Sequence, residues 1–219
     1  GANPMRELLH PRSIAVIGAS DDPVKLSGRP VDYMTRLGYA GRLLPVNATR
    51  DEVQGLPAYR SVTDIDGDID LAIVLVPAGQ VIAAVRECGK RGVKVVIVGA
   101  AGFAETGAEG AALQEELRQV ANDVGVRVLG PNCLGMIGVA DQAFPTFSTA
   151  LDELSDLRSG PVAFVSQSGA FGSFIFSAAQ QAGIGISHYV NTGNEVDLSV
   201  SEVMGMFLEA EETHVVLAY

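Results

Sequence analysis

Two short turns in this sequence carry residue types that suit phosphate binding. The first, made of Gly18, Ala19 and Ser20, directly follows a continuous apolar run. Glycine lets the backbone approach a phosphate closely, and free N–H groups at a helix start attract negative charge. The dinucleotide fingerprint G-x-G-x-x-G is not completed, because Ser20 and Pro23 stand where its later glycines belong. The turn therefore favours a nucleotide other than NAD, with a tight turn that binds no ligand as the alternative.

The second turn lies between a predicted strand and a predicted helix and consists of Ser166, Gln167, Ser168, Gly169 and Ala170. Its N–H groups and hydroxyls can form an anion site at the helix N-terminus, or a serine can simply cap the helix. A third interpretation makes Ser168 the nucleophile of a hydrolase. The hydrolase motif G-x-S-x-G needs glycine where Ser166 and Ala170 stand, and no histidine lies in a supporting motif. We favour the anion site.

Other residues capable of metal binding or nucleophilic attack lie in patterns that predict no site. His10, His188 and His214 lack the spacing of metal ligands, and the acidic segment 64–70 lacks the glycine and the final carboxylate of a calcium loop. Cys133 has no adjacent histidine or CxxC pair, so we expect a small buried residue rather than a reactive thiol. We therefore expect no metal ion.

Alternating strands and helices position these turns. The first strands are predicted at residues 13–17, 42–46, 71–76, 93–98 and 127–129, with helices at 78–91 and 107–124. This alternation predicts a parallel, doubly wound α/β sheet. It breaks at residues 138–160 and restarts with strands at 162–165, 185–190 and 215–219 and helices at 169–182 and 199–208. Because the last strand runs into the C-terminus, we expect a second α/β domain that is cut short.

The charge distribution restricts the possible partners. The 219 residues carry 15 basic and 26 acidic side chains, a net charge of −11. Residues 151–219 have Arg158 against nine acidic residues, whereas residues 1–150 have 14 basic and 17 acidic ones. Excess carboxylates repel phosphate backbones and anionic lipids, so we expect no nucleic acid and no membrane as partner. Two cysteines, no secretory signal and no apolar run of about 18 residues predict a cytoplasmic protein.

Four segments, in this order, carry a family resemblance: Ala101-Gly102-Phe103-Ala104-Glu105, Gly130-Pro131-Asn132-Cys133-Leu134-Gly135, Ser166-Gln167-Ser168-Gly169-Ala170 and Gly193-Asn194-Glu195-Val196-Asp197. With the segment from Leu9 to Ser20, they make the chain resemble the α-subunit portion of NDP-forming acyl-CoA synthetases, relatives of succinyl-CoA synthetase and ATP-citrate lyase. The resemblance implies a Rossmann-like CoA-binding domain at residues 1–137 and a linker at 138–160. Residues 161–219 would form part of a succinyl-CoA-synthetase-like, flavodoxin-type ligase domain.

The same resemblance implies two sets of binding residues. Coenzyme A (or acyl-CoA) is expected at Gly18, Ala19, Ser20, Lys25, Gly28, Val46, Asn47, Arg50, Val76, Pro77, Ala78, Gly102, Phe103, Glu105 and Asn132. Phosphate is expected at Ser166, Gln167, Ser168, Gly169 and Ala170, beside a phosphohistidine. The family usually has Val-Asn-Pro-Lys after its second strand, and that lysine helps to hold the CoA phosphates. This chain has Val46-Asn47-Ala48-Thr49 instead, and Arg50 is the nearest replacement cation.

The resemblance also implies a reaction. The family converts acyl-CoA, ADP and phosphate into an acid, ATP and CoA through an acyl phosphate and a phosphohistidine. That histidine is expected beyond Tyr219, so no catalytic residue is expected in this chain, which should be inactive alone. ADP and ATP would bind to an ATP-grasp domain or a β-subunit, within a homo- or hetero-oligomer. The alternatives are a CoA- or nucleotide-sensing module fused to a protein acetyltransferase, and a serine hydrolase that uses Ser168.

Overall fold

The computed structural model describes residues 4–152 and 154–219, and its first part is a parallel α/β layer. The strands are β1 (Ser13–Ile17), β2 (Arg42–Val46), β3 (Glu52–Val53), β4 (Leu56–Pro57), β5 (Leu71–Val74), β6 (Val95–Val98) and β7 (Arg127–Leu129), and the helices are α1 (Met5–Leu9), α2 (Arg29–Arg36), α3 (Ala78–Lys90) and α4 (Ala108–Val124). In the order β2–β1–β5–β6–β7, five of these strands form a sheet in which all neighbours are parallel. The predicted parallel sheet is confirmed.

Burial on both faces explains the continuous apolar runs of this sheet. Every residue of β1, β5 and β6 is buried, as expected for parallel strands that helices cover. On α3, the predicted apolar stripe of Val81, Val85 and Cys88 is fully buried. Strand β5 ends at Val74, two residues earlier than predicted, and β6 begins two residues later than predicted. Residues 75–77 are therefore outside the sheet, at its carboxyl edge.

A second sheet contains the later strands. These are β8 (Gly135–Gly138), β9 (Val162–Ser166), β10 (Ile186–Asn191) and β11 (Val215–Ala218), accompanied by the helices α5 (Gly169–Gln181) and α6 (Val200–Glu209). The order is β11–β9–β10–β8, with β8 antiparallel to β10 and the other pairs parallel. The sheet is mixed, and the predicted domain boundary after residue 137 falls inside β8. In the described part of the chain, no helix is long and apolar enough to cross a membrane.

The segment predicted as a linker, 138–160, is largely packed against both parts. Phe144 and Leu151 are fully buried. The hydroxyl of Tyr33 donates to the carbonyl oxygen of Ser148 at 2.9 Å and to the Asp152 carboxylate at 2.5 Å. One hydrophobic cluster contains residues of both sheets. The two parts therefore share a core instead of being separated by a loose connection.

A buried carboxylate fastens α1 to the start of β5. Asp70 accepts two hydrogen bonds of 2.9 Å from the guanidinium of Arg6 and one of 2.8 Å from the N–H group of Arg12. The bond to Arg6 holds the pKa of Asp70 at about 2, against the burial that raises it. Asp70 is therefore a charged anchor at the amino edge of the first sheet.

Replacing Asp70 with asparagine should lower the free energy of unfolding by about 2 kcal/mol, because the buried position loses its charged hydrogen bonds to Arg6, which keeps only Glu7 as an ionic partner. The exposed pair of Glu115 and Arg118 on α4 supplies the control, since solvent screens this pair and Glu115→Gln should change the stability much less than Asp70→Asn does. The pKa of Asp70 lies below its ordinary value of 3.8, so its stabilisation is complete above that pH and is lost as the pH falls towards 2. Urea unfolding between pH 2 and 6 checks this, and equal stability of the two variants would contradict it.

Candidate functional site

A cavity of about 570 Å³ lies where the carboxyl ends of both sheets meet. The first sheet contributes Val76 and Asn132, from the loops that follow β5 and β7. The second sheet contributes residues 167–170 at the start of α5, together with Asn194. Ligands of open α/β sheets bind at this edge. The structure therefore brings members of both predicted sets, the CoA residues and the phosphate residues, to one cavity.

The first turn of α5 forms one wall of this cavity. Ser168 is the N-cap, and its hydroxyl accepts a hydrogen bond of 3.3 Å from the N–H group of Phe171. Gly169 and Ala170 occupy the first turn, where N–H groups have no acceptor within the helix. The capping interpretation of Ser168 is confirmed, and it leaves the helix end facing the cavity. Capping and anion binding are compatible here.

The hydrolase interpretation of Ser168 finds no partner among the described residues. His188 contacts the carbonyl oxygen of Leu9 at 2.9 Å and the ring of His10. His10 lies between two carboxylates. Neither ring is paired with Ser168, whose hydroxyl is engaged in the cap, so the base of a catalytic triad is missing from this geometry.

Asn191, at the end of β10, holds the phosphate turn in place and was not predicted. Its amide nitrogen donates to the carbonyl oxygens of Ser166 and Gln167 at 2.9 and 3.0 Å. Its amide oxygen accepts a hydrogen bond of 2.6 Å from the N–H group of Leu134. The side chain is fully buried, and it connects the turn before α5 to the turn after β7. Its only sequence signal is a polar residue that ends an apolar strand.

Glu105 connects two of the family motifs beside the cavity, which Asn194 lines. Its carboxylate accepts hydrogen bonds from the N–H groups of Gly102 and Phe103, at 2.5 and 3.1 Å, and from the amide of Asn194, at 2.5 Å. Burial raises the pKa of Glu105, but these hydrogen bonds outweigh it and hold the pKa below its usual range. Asn132 also donates to Asn194, at 3.2 Å. Glu105 therefore positions the loop 102–105 through these hydrogen bonds.

A groove of about 380 Å³ lies beside the Gly18 turn, and Val46, Val76 and Arg60 also line it. The N–H groups of Gly18 and Ala19 donate to the carbonyl oxygen of Val46 at 3.0 and 3.1 Å. The prediction of free N–H groups at this turn is therefore wrong, because these groups join β1 to β2. The first turn of α3 opens on the groove instead, after its N-cap Pro77 and first residue Ala78.

Several predicted CoA residues have structural contacts. Asn47 donates to the carbonyl oxygen of Ala19 at 2.9 Å, which ties the two turns together. Ser20 accepts a hydrogen bond from the N–H group of Asp22 at 3.1 Å. Gly28 is the N-cap of α2, and a Cβ there would lie 1.9 Å from the carbonyl oxygen of Asp22. Phe103 is fully buried in the core, and Lys25 is exposed.

The cation beside the groove is Arg60, whereas Arg50 forms an ion pair of 3.2 Å with Asp21. Tyr59 forms a bridge to Val46, and this extension of the sheet edge carries Arg60 to the groove. Arg60 donates to the carbonyl oxygen of Ala48 at 3.1 Å and to Asp51 at 2.7 Å. No sequence motif marks this position, because the bridge between distant segments creates it.

Cys133 also borders the cavity, but its thiol is buried. Burial raises the pKa of Cys133 to about 12, and its sulfur lies 3.5 Å from the carbonyl oxygen of Val98. A neutral, buried thiol is a poor nucleophile. The expectation of a small buried residue is confirmed.

The carboxyl-edge geometry agrees with the known proteins that this chain matches. The family described as CoA binding domain matches residues 12–139, more than half of the chain. The chain belongs to this family. The succinyl-CoA ligase like flavodoxin domain matches residues 159–219. The two matches confirm the predicted resemblance at the level of domains: a CoA-binding domain is followed by a succinyl-CoA-ligase-like flavodoxin domain, as in the α-subunit portion of NDP-forming acyl-CoA synthetases.

Individual relatives match nearly the whole of this chain and are longer than it. The sequence is 40% identical over 210 residues to the α subunit of ADP-forming acetate–CoA ligase II of Pyrococcus furiosus, covering 96% of this chain and 44% of the relative. It is 39% identical over 215 residues to ADP-forming acetate–CoA ligase I of Archaeoglobus fulgidus, covering 98% and 30%.

A solved structure of dinucleotide-forming acetyl-coenzyme A synthetase 1 of Ca. Korarchaeum cryptofilum, in complex with phosphate and ADP, superimposes with a TM-score of 0.92 at 37% identity. The match covers 100% of this chain and 46% of that one. The chain thus spans less than half the length of these relatives.

Proposed function

We propose that this chain is the CoA-binding part of an enzyme that interconverts acyl-CoA, ADP and phosphate with acid, ATP and CoA. The observation that carries the proposal is the shared cavity, which places the phosphate turn against the strand ends of the CoA-binding sheet. Val76 borders both this cavity and the groove beside Gly18. A CoA molecule in the groove therefore has a continuous path along Val76, and its thiol end reaches the phosphate turn.

The cavity suits acyl transfer between CoA and an acyl phosphate. The CoA thiolate attacks the carbonyl carbon, the new C–S bond forms, and the C–O bond to phosphate breaks with its electron pair on the departing phosphate. No charged side chain occurs among the described lining residues. The phosphate charge must therefore be met by the first turn of α5 and by the amides of Asn132 and Gln167.

The remaining steps require parts of the enzyme beyond these residues. We infer that ADP and ATP bind to an ATP-grasp domain or β-subunit, and that a phosphohistidine from outside this chain carries the phosphoryl group to the α5 turn. The Pyrococcus relative is named as an α subunit, and the Archaeoglobus relative is a longer protein without a subunit name. Either a homo- or a hetero-oligomer fits this division.

Calorimetric titration tests the binding function directly. The chain should bind CoA with a Kd in the micromolar range, and it should give no heat with NAD, because the dinucleotide fingerprint is incomplete. The absence of heat at about 1 mM CoA would overturn the proposal, since that concentration corresponds to a binding free energy of only about 4 kcal/mol.

A comparison of two arginines tests the groove. Arg60→Ala should weaken CoA binding about tenfold and reduce its salt dependence, because Arg60 lines the groove. Arg50→Ala, which removes a cation that does not line the groove, should change the affinity less than about threefold. Titrations at two salt concentrations measure both effects. The opposite ranking would restore Arg50 as the replacement cation and would remove Arg60 from the site.

A further inference from the structure

A second polar cluster lies at the amino edge of the sheets, opposite the cavity. His10 precedes β1, His188 lies on β10, and Glu212 lies between α6 and β11. One ligand atom from each of these three residues lies within 4.8 Å of the other two. The sequence predicts no metal site, because these residues are far apart along the chain. The fold brings them together from both parts of the protein.

The nitrogen Nδ1 of His188 is an unpartnered polar atom aimed into this cluster. The other ring nitrogen, Nε2, lies 2.9 Å from the carbonyl oxygen of Leu9. A carbonyl only accepts, so Nε2 carries the hydrogen and Nδ1 presents a lone pair. His188 is fully buried, and Nδ1 has no hydrogen-bond partner. Glu212 Oε1, also an acceptor, lies 3.8 Å away. A buried lone pair that faces a carboxylate is unfavourable, and a cation between the two would satisfy both.

His10 is oriented in the same manner. Its Nδ1 is hydrogen-bonded to Asp141, and its Nε2 is hydrogen-bonded to Glu212 Oε1 at 2.8 Å, a bond that a metal ion would replace. Histidines that bind metals are generally held through their second nitrogen by a carboxylate or a backbone carbonyl. Here both outer partners are present, Asp141 for His10 and Leu9 for His188. His10 and Glu212 are each about one third exposed, which gives an ion access from solvent.

We propose that His10 Nε2, His188 Nδ1 and Glu212 Oε1 bind one zinc ion that joins the two parts of the protein. Zinc takes nitrogen and carboxylate ligands at about 2.0–2.2 Å in a tetrahedral arrangement, in which donor atoms are about 3.3 Å apart. The separations of 2.8 and 3.8 Å from Glu212 Oε1 lie on either side of that spacing. Water supplies the fourth ligand. The site lies at the edge opposite the cavity, so the ion would not contact a ligand bound there.

The test uses the tag-free 219-residue chain after removal of metals by a chelator. Titration with cobalt chloride should give the visible absorption bands of tetrahedral Co²⁺, and zinc chloride should displace the cobalt. Zinc at about 100 μM should also raise the Tm by about 5 °C. Glu212→Gln, which keeps the shape of the side chain but removes its charge, should abolish both signals. His10→Ala should do the same.

His214→Ala is the matched control, because His214 is an exposed histidine two residues from Glu212 and is not part of the cluster. This variant should retain the cobalt spectrum and the Tm increase. All variants should bind CoA with the affinity of the unsubstituted chain. A failure of zinc binding can therefore be distinguished from a failure of the proposed CoA-binding function. Absence of a tetrahedral cobalt spectrum, its persistence in both Glu212→Gln and His10→Ala, or its loss in His214→Ala would overturn the proposal.

Discussion

Replacing Gly18 with valine is expected to reduce the affinity for CoA at least about 100-fold, or by about 3 kcal/mol. Gly18 has a φ of +84°, and a Cβ there would lie 2.8 Å from the carbonyl oxygen of Leu75 and 2.9 Å from Cγ1 of Val76. The segment after β5 must therefore move. Because Val76 borders both the groove and the cavity, this movement deforms the path proposed for CoA. Calorimetric titration measures the loss.

Gly92→Val separates this effect from backbone strain. Gly92 also has a positive φ, +77°, but a Cβ there would meet nothing within 4 Å. Both variants should lose about 1–2 kcal/mol of stability from the strained conformation, whereas Gly92→Val should bind CoA normally. Equal affinities in the two variants would mean that the groove beside Gly18 does not hold CoA. If Gly18→Val does not fold, Gly18→Ala applies the same contact with a smaller side chain.

Asn191→Ala is expected to lower the free energy of unfolding by about 3 kcal/mol. The substitution leaves two carbonyl oxygens, those of Ser166 and Gln167, and the N–H group of Leu134 without their buried partner. It also frees the turn before α5, so phosphate binding should weaken about tenfold. Urea unfolding and phosphate titration by ³¹P NMR measure the two effects.

Gln180→Ala is the matched control for this amide. The Gln180 side chain also makes three hydrogen bonds, to the N–H and carbonyl groups of Arg158 and to the carbonyl oxygen of Ile184, but at an exposed position. Water replaces its hydrogen bonds, so the cost should be below about 1 kcal/mol. Equal destabilisation by the two substitutions would show that the buried hydrogen bonds of Asn191 stabilise the fold no more than the exposed ones of Gln180.

The sequence predicts most of the first sheet because each of its strands is a local apolar run. Strand β1 matches the predicted residues 13–17, and its burial on both faces is the reason for its uniform composition. Strand β8 was missed because four residues with two glycines carry no alternating pattern. Its pairing with β10 depends on contacts with a strand about 50 positions later. The packing of segment 138–160 likewise depends on Tyr33 in the first part of the chain.

The candidate site also contains some residues that local motifs predict and others that only distant contacts bring into place. The glycine and serine turns at residues 18–20 and 166–170 are local motifs, and the fold places both at the carboxyl edge. Arg60 could not be predicted, because it reaches the groove through the bridge from Tyr59 to Val46. The rings of His10 and His188 are in contact although the residues are 178 positions apart. Their spacing in the sequence does not indicate this contact. Residues that reach the site through contacts between distant segments therefore could not be predicted from the sequence.

Formation of a mixed disulfide tests whether the thiol end of CoA reaches the phosphate turn. Ala170 is exposed and lines the cavity, so Ala170→Cys introduces a thiol there with little change in shape. The native cysteines, Cys88 and Cys133, are both buried. Ser159→Cys, at an exposed position that does not line the cavity, is the control. Both variants are treated with the disulfide form of CoA and followed by intact-protein mass spectrometry.

We expect that Cys introduced at position 170 forms the CoA adduct at least about tenfold faster than Cys at position 159. Free adenosine-containing ligands, such as dephospho-CoA with a blocked thiol, should compete and slow the reaction at position 170. The acceleration comes from binding, which raises the effective concentration of the CoA sulfur at the turn. Equal rates at the two positions, or an acceleration that no competitor removes, would contradict the claim that CoA and the phosphate turn share one cavity.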